Sequence, residues 1–312
     1  MPENTGRDVL HRWEGNPVIS LDDLNFQCSD ILNAAAVQFQ GETVLLVTVE
    51  GLQGRCRLYL ARSQDGLHFT VDEKPFMSSS RTDGDQMYET LGIRDARITE
   101  MEGVYYITYV AMGYHGLRLG LARTSDFVTC ERMGLISQVD VKNGALFPRK
   151  INGRYALLER PDDGKSIWVV FSDDLEFWGD GRPVMTPRGG HWDTHVIGAA
   201  CPPIEIDDGW LLIYYGQRHT SAGPLVRLGA AVLDRDDPSK VLGRSDIPVL
   251  APREKYERIG DIPNVVFSCG ALLQDDGVLE IYYGASDSCI ALGTAPLEDI
   301  LENCFETEEF HE

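Results

Sequence analysis

The chain has 312 residues, and its 28 Lys and Arg against 49 Asp and Glu give a formal net charge of −21. That balance argues against a protein that coats nucleic acid or docks on an anionic membrane, since both need clustered cations. At 43% hydrophobic residues it is also no disordered chain. The N-terminal MPENTGRDVLHRWEG has no apolar run after a basic start, so no secretory signal is expected. Apolar stretches such as Val44–Val49 are too short to span a bilayer, and a cytoplasmic protein is expected. The seven cysteines are odd in number and form no CxxC pair. They predict neither a disulfide framework nor a zinc site, and the scattered histidines show no ligand spacing, so no metal is expected.

Taken in chain order, the elements repeat. Five segments share a strand, a tight glycine turn and a second, more aromatic strand: AAAVQFQGETVLLVTV, ARITEMEGVYYITYV, ALFPRKINGRYALLER, PPIEIDDGWLLIYYG and ALLQDDGVLEIYYG. Their turn glycines are Gly41, Gly103, Gly153, Gly209 and Gly277. Asn152-Gly153 and Asp208-Gly209 favour hairpins in which both central residues take positive φ. About twenty residues after each hairpin comes a short apolar strand running into a polar turn, as in LYLARSQDGLHF, LGLARTSDFVTC and WVVFSDDLEFW. Five such units, of about 62 residues each, predict an all-β chain folded as one five-bladed β-propeller over residues 1–312. Leu297 to Cys304 reads as a short closing helix. Acids in inter-strand turns, such as Asp173-Asp174 and Asp236-Asp237, read as solvating surface.

In a propeller the first strand of each blade lines the axis. The five stretches leading into those strands are Ile31-Leu32-Asn33, Gly92 to Arg97, Val141-Lys142-Asn143-Gly144, His195-Val196-Ile197-Gly198 and Asn264-Val265-Val266-Phe267. Polar groups recur there where a buried strand would be apolar. Arg94 beside Asp95 is by itself an ordinary ion pair, and strict alternation would point the two apart. Five converging loops point to a ligand funnel. Nearby aromatics, among them Tyr214, Tyr215, Tyr282, Tyr283, Trp192 and Phe267, suit a sugar, although alternation assigns about half of them to the core.

At these residues the sequence resembles glycoside hydrolase family 130, the β-mannoside phosphorylases and related β-mannosidases. The match runs through LGIRDARITEMEGVYYITYV, NGALFPRKINGRYALLERP, GAACPPIEIDDGWLLIYYG, VRLGAAVLDRDDPSKVLGR and DIPNVVFSCGALL, then YYGASDSCIALGTAPLEDIL, roughly residues 30 to 302. The resemblance implies an axial site that cleaves β-mannosidic bonds with inversion. In the phosphorylases the nucleophile is inorganic phosphate, a co-substrate, and the product is mannose 1-phosphate; no cofactor is implied.

The resemblance makes Asp95 the general acid, acting through the mannosyl 3-hydroxyl. Asn33, Asp287 and Phe267 would hold the sugar, with Arg94, Arg97 and Tyr283 nearby. Lys142 and Arg160 would bind phosphate, with Asn143, Tyr215 and His195; on residue grounds alone Arg160 would pair with Asp162 or Glu159. Three positions depart from the family pattern. Arg94 stands where Glu is usual, Tyr215 where His is usual, and Val196, next to His195, where Lys is usual. This thins the phosphate site and leaves an inverting β-mannosidase as the alternative. Its water-activating base would be Glu159, Asp193 or Glu257. A carbohydrate-binding propeller without catalysis is the third reading. Loops 76 to 90 and 217 to 225 are expected to shape the aglycone side. The partner is a β-mannoside or manno-oligosaccharide, with no nucleic acid and no membrane, and homo-oligomerisation is left open.

Overall fold

The protein was analysed as a computed structural model that describes residues 8–80 and 86–305. Residues 81–85 of the first expected aglycone loop and 306–312 of the acidic tail lie outside the described residues, as do 1–7. After a short edge strand β1 (His11–Arg12), the chain forms five sequential groups of strands. The first holds β2 (Asp30–Phe39), β3 (Glu42–Glu50), β4 (Cys56–Ser63) and β5 (Thr70–Val71). The second holds β6 (Gly92–Met101), β7 (Val104–Gly113), β8 (Gly116–Thr124) and β9 (Glu131–Leu135). The third holds β10 (Val141–Leu146), β11 (Tyr155–Pro161), β12 (Ile167–Ser172) and β13 (Gly179–Met185). The fourth holds β14 (Val196–Ala199), β15 (Ile204–Ile206), β16 (Gly209–Thr220), β17 (Gly223–Leu233) and β18 (Val241–Arg244). The fifth holds β19 (Val266–Leu273), β20 (Val278–Ala285) and β21 (Cys289–Pro296), with β1 as its outer strand. Within each group neighbouring strands pair antiparallel, and one parallel bridge, Cys56 to Gly92, joins the first two groups.

All five hairpin glycines have positive φ, as the repeats predict. Asn152 also has positive φ, at 50°, but Asp208 does not, so the turn before Gly209 relies on the glycine alone. The Ser/Thr-x-Asp turns recur with one chemistry. The Asp65, Asp126 and Asp174 carboxylates each accept two backbone N–H bonds from the residues that follow. Those bonds favour the ionised form, at Asp65 after the larger effect of its side-chain bond to His68, and the carboxyls of all three are held below the usual range. Part of the acid excess is therefore turn capping rather than plain solvation.

Both faces of each group are buried. On β3, Val44 and Leu46 enter the core shared with the second group, while Leu45, Val47 and Val49 enter the core shared with the fifth. Five such cores separate consecutive groups, and one of them joins the fifth group back to the first, so the sheets close into a ring. Helix α1 (Lys255–Arg258) precedes β19, and α2 (Leu297–Phe305) packs on β17, β18 and β21 where a closing helix is expected. Among the described residues no helix is long and apolar enough to cross a membrane.

Candidate active site in the axial pocket

The first strands of four groups carry β-bulges near their starts. The register slips between Leu32 and Ala34, between Arg94 and Arg97, between Lys142 and Ala145, and between Ser268 and Gly270. The residues at these slips include Asn33, Asp95 and Asn143, with φ of 23°, 54° and 58°. Asn and Asp are the non-glycine residues that best tolerate left-handed backbone. A bulge re-aims one side chain out of the pleat, here toward the axis. On the fifth group Ser286 and Asp287, at 48° and 51°, lie in the turn between β20 and β21.

These residues line one cavity of about 230 Å³, with walls from every group: Asn33, Asp95, Lys142, Tyr215, Phe267 and Asp287. Arg94, Asn143 and Gln217 also reach it. The bulge, not alternation, decides the Arg94–Asp95 geometry. The guanidinium Nε comes within 3.7 Å of Asp95 Oδ2, so the expectation that the two diverge is corrected. Asn33 Nδ2 donates to Asp95 Oδ1 at 2.8 Å, and the Asp95 N–H donates to Thr48 Oγ1 at 3.1 Å. Gly284 permits this contact: a Cβ there would lie 2.3 Å from Asn33 Oδ1. Asn33 Oδ1, Arg94 Nε and Ser286 Oγ are buried and have no hydrogen-bond partner among the described residues. Buried polar atoms are normally satisfied, so three unmet groups in the segments that form the pocket stand out.

Charges of both signs meet in the pocket. Burial, then the neighbouring Asp95 charge, pushes the Asp287 carboxyl up to about 7. Arg94 stands beside the acids, and a second cation lines the same pocket. Lys142 has no ion-pair partner among the described residues. Burial and repulsion from Arg160 and Arg94 lower its pKa. Arg160, 2% exposed, lies behind the wall. Its Nε donates to Asn143 Oδ1 at 3.2 Å and its Nη1 pairs with Asp162 at 3.1 Å. Tyr215 donates to the same Asn143 oxygen at 3.1 Å, and its ring packs on Phe267.

Other expected site residues lie elsewhere. Arg97 spends its donors on the backbone carbonyls of Ala200, Asp95 and Ala199, buried behind Phe267, and so ties the second group to the fourth. Tyr283 donates to Glu257 at 2.8 Å inside the core between the fourth and fifth groups. Glu257 is locked by Arg12 and by the Arg253 and Glu254 N–H groups, which hold its carboxyl below the usual range despite burial. Asp193 is held by Arg188, Arg244 and Tyr214. Glu159 is half-buried, with its carboxyl pushed up to about 7 by desolvation, but it does not line the cavity. His195 stands outside the cavity wall, 3.3 Å from Lys165 Nζ and 4.0 Å from the His219 ring. The aglycone loop at 217 to 225 is instead the end of the long β16–β17 hairpin, which contributes Gln217, Pro224 and Val226 to the pocket. Gln217 and Pro224 fall within the expected loop, while Val226, one residue beyond it, escaped the sequence reading because hairpin length is set by pairing rather than by composition.

The sequence matches the family described as beta-1,4-mannooligosaccharide phosphorylase over residues 23–306. It is 35% identical over 304 residues to a 1,2-beta-oligomannan phosphorylase of Thermoanaerobacter sp., covering 93% of this chain and 98% of that one. It is 33% identical over 310 residues to a beta-1,4-mannooligosaccharide phosphorylase of Ruminococcus albus, covering 95% and 91%. Its fold superposes on the beta-1,2-mannobiose phosphorylase of Listeria innocua in complex with beta-1,2-mannobiose with a TM-score of 0.85, at 30% identity, covering 95% of this chain and 99% of that one.

Proposed function

This chain belongs to glycoside hydrolase family 130, and from that premise we propose that it is an inverting β-mannoside phosphorylase on a single five-bladed propeller. One observation carries the choice of phosphate as nucleophile. Lys142 faces the pocket without an ion-pair partner among the described residues, with Arg160 behind it and Arg94 beside it. Three cations around one polar pocket in an acidic protein form an anion receptor.

A β-mannosyl ring sits between Asp95 and Asp287, with Phe267 against its C–H face. Asn33 holds Asp95 in place through its Nδ2. Phosphate bound by Lys142, with Arg160 and Asn143 in support, attacks C1 from the face opposite the leaving oxygen. The C1–O glycosidic bond breaks as the C1–O phosphate bond forms. The Asp95 proton passes by way of the 3-hydroxyl to the departing oxygen, so the products are α-mannose 1-phosphate and the shortened acceptor. Phosphate arrives already charged and needs no general base.

Hydrolysis is the weaker reading. It requires a carboxylate base on the nucleophile side. Asp193 and Glu257 are tied up in ion pairs, and Glu159 does not line the pocket. The relatives act on both 1,2 and 1,4 linkages by name, so we leave the linkage open. We propose further that the enzyme works in the cytoplasm and needs no cofactor. Incubation of β-1,2- and β-1,4-mannobiose with and without phosphate tests the function. Mannose 1-phosphate formed only with phosphate supports it, and equal release of free mannose in both refutes it.

A further inference from the structure

The connection between β18 and β19 supplies part of the axial pocket's wall through Ile262 and Val265, yet little apolar surface holds it in place. Of residues 251–264 only Glu257 is buried, and it has no exposure at all. Tyr256 beside it is half-buried against the core between the fourth and fifth groups. A segment anchored by a carboxylate is held only as well as that carboxylate is satisfied, because a buried charge is costly without partners.

Two distant parts of the chain satisfy it. Arg12, on the edge strand β1, gives both arms of its guanidinium: Nε donates to Glu257 Oε1 at 2.7 Å and Nη2 to Oε2 at 2.9 Å. Tyr283, on β20, donates to Oε1 at 2.8 Å. The Arg253 and Glu254 N–H groups close the local turn onto Oε2. Arg12 Nη2 also donates to the Ala251 carbonyl at 2.7 Å, and Asp8 bridges Arg12 and Arg253 at 2.8 and 2.7 Å. Residues 8–12 therefore strap the start of the connection to the fifth group through charge-assisted, two-pronged bonds, a geometry that a lysine cannot reproduce.

Beyond Glu257 the connection runs onto the Asp287 turn. The Ile262 N–H donates to the Ser286 carbonyl at 3.1 Å, and the Ser286 N–H donates to the Val265 carbonyl at 2.9 Å. Gly260 packs so closely there that a Cβ on it would lie 2.5 Å from the Ser286 carbonyl oxygen. The turn that presents Asp287 is thus clasped by the segment that Glu257 anchors. Lys142, Asn143 and Arg160 belong to the third group, and none of these bonds reaches them.

We propose that Arg12 and Glu257 are positioning residues for the mannosyl side of the axial pocket: the N-terminal strap, acting through Glu257, fixes the wall at 259–265 and with it the Asp287 turn. Neither residue touches the substrate. The inference rests on the mannoside reading of the axial pocket and deepens it.

Arg12→Ala and Arg12→Lys test it in steady-state kinetics, with phosphate and with the mannobiose that the parent cleaves. Formation of mannose 1-phosphate by the parent checks the underlying reading first and separately. In Arg12→Ala the KM for mannobiose should rise about tenfold, while the KM for phosphate stays within about twofold of the parent's. Arg12→Lys, which keeps the charge and loses the fork, should fall between parent and Arg12→Ala. The Arg12 side chain is 15% exposed, so added guanidinium should restore part of the loss in Arg12→Ala. Should Arg12→Ala not fold, Arg12→Lys carries the same comparison. Calorimetric affinity for mannose, measured without phosphate, should fall in step with the mannobiose KM and judges the positioning role even if the nucleophile proves to be water. An unchanged mannobiose KM and mannose affinity in a variant whose thermal stability has dropped, or an equal rise in both KM values, would overturn the proposal.

Discussion

Asp287→Asn separates the charge account from simple packing, because its effect must change with pH. The Asp287 carboxyl stands at about 7 rather than 3.8, through burial and the adjacent Asp95 charge. Between those values the folded state holds a proton that the unfolded chain has released. Stability therefore falls as pH rises from about 4, and the loss is complete above about 7. At 1.36 kcal/mol per pKa unit, the shift costs the folded protein about 4 kcal/mol at alkaline pH. Asparagine keeps the shape and removes the titration. The variant should thus be more stable than the parent by up to about 4 kcal/mol near pH 8, with the gain vanishing near pH 4. Urea unfolding of both proteins across that range measures the difference directly. A stability difference that stays flat with pH would refute the buried, proton-holding Asp287. The same variant should lose affinity for mannose, the usual exchange of stability for function at a site.

Four further outcomes follow from the geometry. Asp95→Asn should lower kcat by about 10²–10⁴-fold while phosphate still binds, as equilibrium titration would show. Lys142→Met should raise the KM for phosphate about tenfold or more, with the KM for the mannoside little changed in steady-state kinetics. Gly284→Ala places a methyl 2.3 Å from Asn33 Oδ1 and must push Asn33 off Asp95; kcat/KM should fall while the circular dichroism spectrum stays native. Arg97→Met removes a buried cation that holds three backbone carbonyls, so thermal unfolding should show a loss of about 3 kcal/mol, larger than any change in KM.

Much of the fold was legible because the turn chemistry repeats. A glycine at five hairpins and a Ser/Thr-x-Asp turn in three units are local signals, and the structure realises both. The pocket was legible for a related reason. Asn33, Asp95 and Asn143 are small polar residues inside otherwise apolar strands, and those are the residues that left-handed bulges favour. What could not be read was which polar side chain ends in the pocket and which in a core. Tyr282 and Tyr283 illustrate it. Alternation predicts one buried and one free, yet both are fully buried, because each sheet is packed on both faces and the two rings enter different cores. Arg97, Asp193 and Glu257 lie outside the cavity lining for a similar reason. Each is a buried charge whose partners come from distant sequence, Ala199 and Ala200, Arg244, and Arg12 respectively.

A crystal structure with phosphate and mannose bound tests the central claim most directly. The account predicts an oxyanion within hydrogen-bond distance of Lys142 Nζ, on the face of the mannosyl ring opposite the aglycone side, with Asp95 near the 3-hydroxyl. Mannose seated between Asp95 and Asp287 with no anion at Lys142, or with a water held by Glu159 in its place, would contradict it.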